Sequence, residues 1–137
     1  MRTLATGLAI VLAAGAAGPA RAQYDGSAAM LCAPATVLEC VDSGECARRS
    51  AREVNVPAFV TVDVAKRTIA AVGEPARTAP IERLERADGQ LVLQGAQNGR
   101  AWSFMVAEKT GQITVSVAGS DFAFVIFGAC TIVPGGK

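Results

Sequence analysis

The chain has 137 residues, 13 Lys+Arg against 12 Asp+Glu, four Cys and no His. A charge balance near zero leaves no large basic field to hold a nucleic-acid backbone, so no nucleic-acid partner is expected. Without His there is no Ser-His or Cys-His nucleophile pair, no imidazole metal ligand and no near-neutral acid/base.

Residues 1–22 read as an address. Arg2 opens a short basic start, and an uncharged apolar run extends from Leu4 to Ala17. Gly18-Pro19 breaks the run, and Ala20-Arg21-Ala22 supplies the small residues of an A-x-A cleavage site. The run is shorter than the roughly 20 residues needed to span a bilayer. A signal peptide cut after Ala22 is expected, with export to the periplasm or the medium and no stable membrane insertion afterwards. The hydrophobic fraction of 51% is high for a soluble domain, and the leader inflates it. The 115 residues from Gln23 to Lys137 are expected to form one domain, and without Arg2 and Arg21 it carries 11 basic against 12 acidic residues.

Residues 23–31 carry no pattern and read as a loose start. Export turns an even Cys count into a disulfide frame. Cys40 to Cys46 reads as a hairpin, with Asp42-Ser43-Gly44 as a three-residue loop. Val41 then faces Glu45 and Cys40 faces Cys46, which allows a cross-strand bridge. Cys32 would pair with Cys130. The two other connectivities, Cys32–Cys46 with Cys40–Cys130 and Cys32–Cys40 with Cys46–Cys130, stay open. Spacings of eight, six and 84 residues contain no C-x-x-C pair, so neither a thiolate zinc site nor a catalytic redox pair is expected.

Ser50-Ala51-Arg52-Glu53 fits the capping box S-x-x-E, and Pro57 must stop any helix, so one short helical turn is expected near 50–56. From there the chain alternates apolar runs with turn signals. Val60, Val62 and Val64 share one face of a strand, and Thr68 to Val72 makes the next. Pro75 and Pro80 bracket a connection unsuited to a central strand. Ile81 to Arg86 is a polar strand suited to an edge. Asp88-Gly89 and Asn98-Gly99 are tight-turn dipeptides on either side of the Leu91–Gln94 strand. Trp102, Phe104 and Val106 then alternate with Ser103 and Met105, and Ile113, Val115 and Val117 with Thr114 and Ser116. Phe122 to Phe127 is apolar at every position, so both faces of that strand call for a cover. The N-terminal segment is the expected cover for Ala123, Val125 and Phe127, a partner surface being the alternative.

Hairpin-sized connections from 87 to 121 predict an all-β, antiparallel up-and-down meander. It should close into a small barrel or half-barrel of seven or eight strands, with a two-sheet sandwich as the alternative.

Little visible chemistry is left. The carboxylates, including Glu82 and Glu85, read as solvated or turn-forming. Arg48, Arg49 and Arg52 form one basic group, and Arg77, Arg83 and Arg86 another. Both are interleaved with acids and read as solvated faces with local ion pairs, an anion site being the alternative. There is no phosphate loop, nucleophile elbow or calcium loop, so neither cofactor nor metal is expected. Trp102, Phe104, Phe122 and Phe124 are the candidate ligand-contacting residues, because a small barrel can enclose one ligand.

Two stretches also resemble a known group. One runs from Cys32-Ala33-Pro34 through Glu39-Cys40 and Glu45-Cys46 to Val54-Asn55-Val56-Pro57. The other runs from Val117-Ala118-Gly119 to Gly128-Ala129-Cys130-Thr131. Together they resemble small exported bacterial proteins with this four-Cys order, over most of the chain after residue 22. The resemblance implies export and a bridged β domain. It carries no activity and no catalytic residue. Periplasmic lysozyme inhibitors are similar in architecture alone, which does not assign a function.

Three functions follow as expectations. The first is a non-enzymatic module binding another envelope or extracellular protein, inhibition being one form. The second is a carrier of a small apolar ligand inside the barrel. The third is a hydrolase built on carboxylates and Arg.

Overall fold

A computed structural model describes residues 23–75 and 77–135. The expected signal peptide over 1–22 lies outside the described residues. Ten strands form: β1 (Met30–Val41), β2 (Cys46–Arg49), β3 (Val60–Asp63), β4 (Thr68–Ala71), β5 (Thr78–Pro80), β6 (Arg83–Ala87), β7 (Gln90–Gln97), β8 (Arg100–Ala107), β9 (Gln112–Ala118) and β10 (Phe122–Ile132). They make one curled antiparallel sheet in the order β5-β4-β3-β1-β10-β9-β8-β7-β6, with β2 also paired to β1. The fold is the expected all-β meander, curled as a half-barrel.

The run from β6 to β10 is an unbroken series of hairpins. Asp88-Gly89 and Asn98-Gly99 adopt φ of 52° and 73°, and of 52° and 74°. Positive φ at both central residues gives the turn whose twist matches the flanking strands. β6 lies at one end of the sheet, as its polar sequence suggests. β5 lies at the other, and only Ile81 and Glu82 separate the two in the chain. The Glu82 amide donates to the Gln94 carbonyl at 2.9 Å, and Gln97 Nε2 donates to the Thr78 carbonyl at 2.7 Å. The two ends of the sheet therefore meet, which shields edges that would otherwise recruit other chains.

Both disulfides follow the favoured pairing, Cys32–Cys130 and Cys40–Cys46, and no described Cys is free. Each joins residues directly opposite in register, the first between β1 and β10 and the second between β1 and β2.

Four features depart from the sequence reading. Ten strands form rather than seven or eight. The largest addition is β1, which lies between β3 and β10. Its side-chain alternation is broken by a register shift between Pro34 and Thr36. Before the shift, Met30 and Cys32 face inward; after it, Val37 does. A bulge of this kind reverses parity and hides a strand from a period-two search. Gly128 sits opposite Pro34, because a Cβ there would collide with the Ala33 carbonyl.

Next, no helix forms near 50–56. The capping box is made: Glu53 accepts from the Ser50 amide and hydroxyl at 2.8 and 2.7 Å. It closes a turn over 51–55 instead, in which Asn55 takes φ of 55° and ends the coil before Pro57. Third, residues 23–29 are not a loose start. The Tyr24 amide donates to the Glu108 carbonyl at 3.0 Å, and its ring lies against Gly111. Arg86 donates to the Asp25 carbonyl at 2.9 Å. This segment stops one end of the barrel. Finally, it therefore does not cover the outer face of β10, and Phe127 stays 44% exposed.

Candidate functional site

Register builds the barrel interior in layers. At the stopped end, Leu91, Val106 and Ile113 form one row across β7, β8 and β9. The next row is Leu93, Phe104, Val115 and Ile126, joined by Val37 of β1. Both rows are buried. The third row is Gly95, Trp102, Val117, Phe124 and Glu39. Here packing loosens, and Trp102, Val117 and Phe124 are only half-buried. Above it stand Gln97 and Arg100, paired across the β7–β8 turn.

The loosening leaves a cavity of about 400 Å³ that opens at the unstopped end and is floored by the packed rows as deep as Ile113. Its wall is made by Trp102, Phe104, Ile113, Val115, Val117, Phe124 and Ile126 on one side, and by Val60, Ile69, Ala71 and Ala79 on the other. Such a volume lies within the range of small-molecule sites. The wall is apolar because all these positions share the inward parity of their strands.

Gly95 makes room for the indole. A Cβ there would stand 2.5 Å from Trp102 Cζ2 and 2.8 Å from the Pro80 carbonyl oxygen. The indole N–H is buried without a hydrogen-bond partner among the described residues. An unmet donor of this kind costs about 1–3 kcal/mol.

The rim is polar. The turn over 51–55 lies across it, placing Val54, Asn55 and Val56 on the cavity. Arg77 holds that turn: its Nη2 donates to the Asn55 carbonyl at 2.7 Å, while Nη1 lies 3.3 Å from Glu74. Arg100 lies with its guanidinium carbon 5.3 Å from the Phe122 ring centroid. Phe122 in turn packs on Phe124 with centroids 5.1 Å apart. An adjoining groove is bordered by Glu39, Arg49, Glu53, Val54, Asn55 and Phe124. Within it Arg49 Nε pairs with Glu39 at 2.9 Å. The two Ser50 hydrogen bonds hold the Glu53 carboxyl below its ordinary range.

Comparison with known proteins found no matching family model, no matching curated protein and no matching solved structure.

Of the four aromatic candidates, Trp102, Phe104 and Phe124 line the cavity; Phe122 is not part of the lining and lies beneath Arg100, packed on Phe124. The cysteines are structural bridges at the pairings given above. The basic group of Arg77, Arg83 and Arg86 is divided. Arg77 turns to the cavity rim, while Arg83 and Arg86 lie exposed on β6. Sequence reading missed Arg77 and Arg100 as site residues. For Arg100 the signal was present, since period two from Trp102 and Phe104 puts it on the inner face. For Arg77 there was none, because its position depends on the long-range bond to Asn55. Glu82 and Glu85 are exposed and line no part of the cavity.

Proposed function

We propose that this protein binds a small, mainly apolar ligand in the barrel interior. The observation that carries the reading is the cavity of about 400 Å³ walled by Trp102, Phe104, Val115 and Phe124. A barrel built only for stability fills its interior with side chains. Here one end is packed and stopped and the other is left open. Export fits the same reading: two disulfides suit an oxidising compartment, and residues 1–22 have the composition of a leader.

Trp102 is the sole tryptophan, so its fluorescence reports the cavity alone. Titration of the oxidised protein with 1-decanol should give a saturable change in Trp102 emission. Val115→Phe, which fills the space, should abolish it. A linear, non-saturating response in both proteins would refute the reading.

A second reading, a protein-binding face, is favoured by the outer surface. Thr36, Phe127, Thr114, Met105 and Val92 follow one another across β1, β10, β9, β8 and β7. Phe127 and Met105 are 44% and 38% exposed. Phe127→Ser with Met105→Ser should lower retention of envelope proteins on the immobilised chain and leave decanol binding unchanged. Equal retention would remove this reading.

A further inference from the structure

The walls of the cavity are apolar, and its charged lining is of one sign. Among the described residues Arg77 and Arg100 are its charged lining, and no Asp, Glu or Lys lines it. The other polar residues at the rim are Asn55, Gln97 and Asn98. The two cations differ in their surroundings. Arg77 is partly neutralised by Glu74 and committed to Asn55. Arg100 has no ion pair among the described residues, and its contact is the face of Phe122. Besides Glu74, the adjoining groove holds Glu39, which is occupied by Arg49, and Glu53, which is occupied by Ser50. A guanidinium resting on a ring keeps its N–H donors free at the edge of its plane, a geometry that suits a carboxylate.

We infer that the ligand is an amphipathic anion: an apolar chain or ring ending in a carboxylate. This rests on the cavity reading above and adds its chemistry. The apolar body lies along Trp102, Phe104 and Val115. The carboxylate stays at the rim, where Arg100 supplies the paired donors and Arg77 adds positive field. The half-open rim leaves that end in partial contact with water, which limits the desolvation of the charge.

The test compares three probes that share one apolar tail, decanoate, 1-decanol and decyltrimethylammonium, each below its micelle concentration. Binding to the oxidised protein is followed by Trp102 fluorescence at low ionic strength. Decanoate should bind at least tenfold more tightly than 1-decanol, and the cation more weakly than either. Arg100→Gln should remove most of the preference for decanoate, read as the ratio of decanoate to 1-decanol affinity within the same variant. Its side chain is exposed, so the variant should fold. A preference that also weakens at 0.5 M salt would support the same conclusion. Equal affinities for acid and alcohol, or a preference undiminished when Arg100→Gln is combined with Arg77→Gln, would overturn the anion inference while the cavity reading stood. Failure of all three probes to bind would overturn both.

Discussion

The two disulfides close loops of very different length, and this difference can be measured. Cys32 and Cys130 are 98 residues apart, and Cys40 and Cys46 only six. If a bridge acts by restricting the unfolded chain, the longer loop is worth about 4.7 kcal/mol and the shorter about 2.2 kcal/mol at 25 °C. Packing widens the gap. Cys32 and Cys130 are 0% and 8% exposed, so replacing both with Ala also leaves a void in the core. Cys40 and Cys46 lie toward the surface, where relaxation is easier. The paired variants Cys32→Ala/Cys130→Ala and Cys40→Ala/Cys46→Ala should therefore differ by at least about 2.5 kcal/mol. At about 4 °C per kcal/mol for a domain of this size, their Tm values should differ by about 10 °C. Since domains are stable by only about 5–15 kcal/mol, the first variant should be marginal at 37 °C. Urea unfolding followed by both far-UV circular dichroism and Trp102 fluorescence gives the free energies and checks two-state behaviour. Equal losses, or a larger loss from the Cys40–Cys46 pair, would refute the chain-entropy argument. They would instead place the stabilisation in the hairpin itself.

Other outcomes follow from single residues. Gly95→Ala should push the indole from its seat, shift Trp102 emission to the red, and cost about 1–3 kcal/mol through overpacking; unchanged emission would show that the close approach is unimportant. Gly128→Ala should be among the most damaging glycine substitutions, because the Ala33 carbonyl occupies the space and backbone cannot give way as a side-chain tip can; urea unfolding reads this directly. Arg77→Gln should loosen the turn over 51–55, seen as faster amide exchange at Val56, whose N–H donates to the Ala51 carbonyl at 2.8 Å. The same turn should respond to acid. The Glu53 carboxyl is held below its ordinary range by Ser50, so its contribution is complete above the unfolded value and is lost as pH falls through the lowered folded one. Val56 exchange, corrected for its intrinsic pH dependence, should therefore rise only below the ordinary carboxylate range near pH 4, and Ser50→Ala should move that onset upward.

Much of the fold was legible because its information is local. Asp88-Gly89 and Asn98-Gly99 demand positive φ at two successive residues, and that alone makes hairpins on both sides of Leu91–Gln94. The alternation of Trp102, Phe104 and Val106, and of Ile113, Val115 and Val117, assigns the inner face because strand side chains repeat every two residues. The six-residue spacing of Cys40 and Cys46 about Gly44 does the same for the short bridge. What the tertiary structure alone decided is of another kind. The bulge after Pro34 reverses the parity of β1, so its place between β3 and β10 follows from long-range pairing. The turn at 51–55 could have begun a helix; Ser50 and Glu53 close it equally well either way, and the packing of Val54 and Val56 over the barrel settles the choice. The cavity is not encoded in any one segment. It exists because Gly95 admits the indole on one side while Arg77 holds Asn55 across the rim, and both depend on how far the sheet curls before its ends meet.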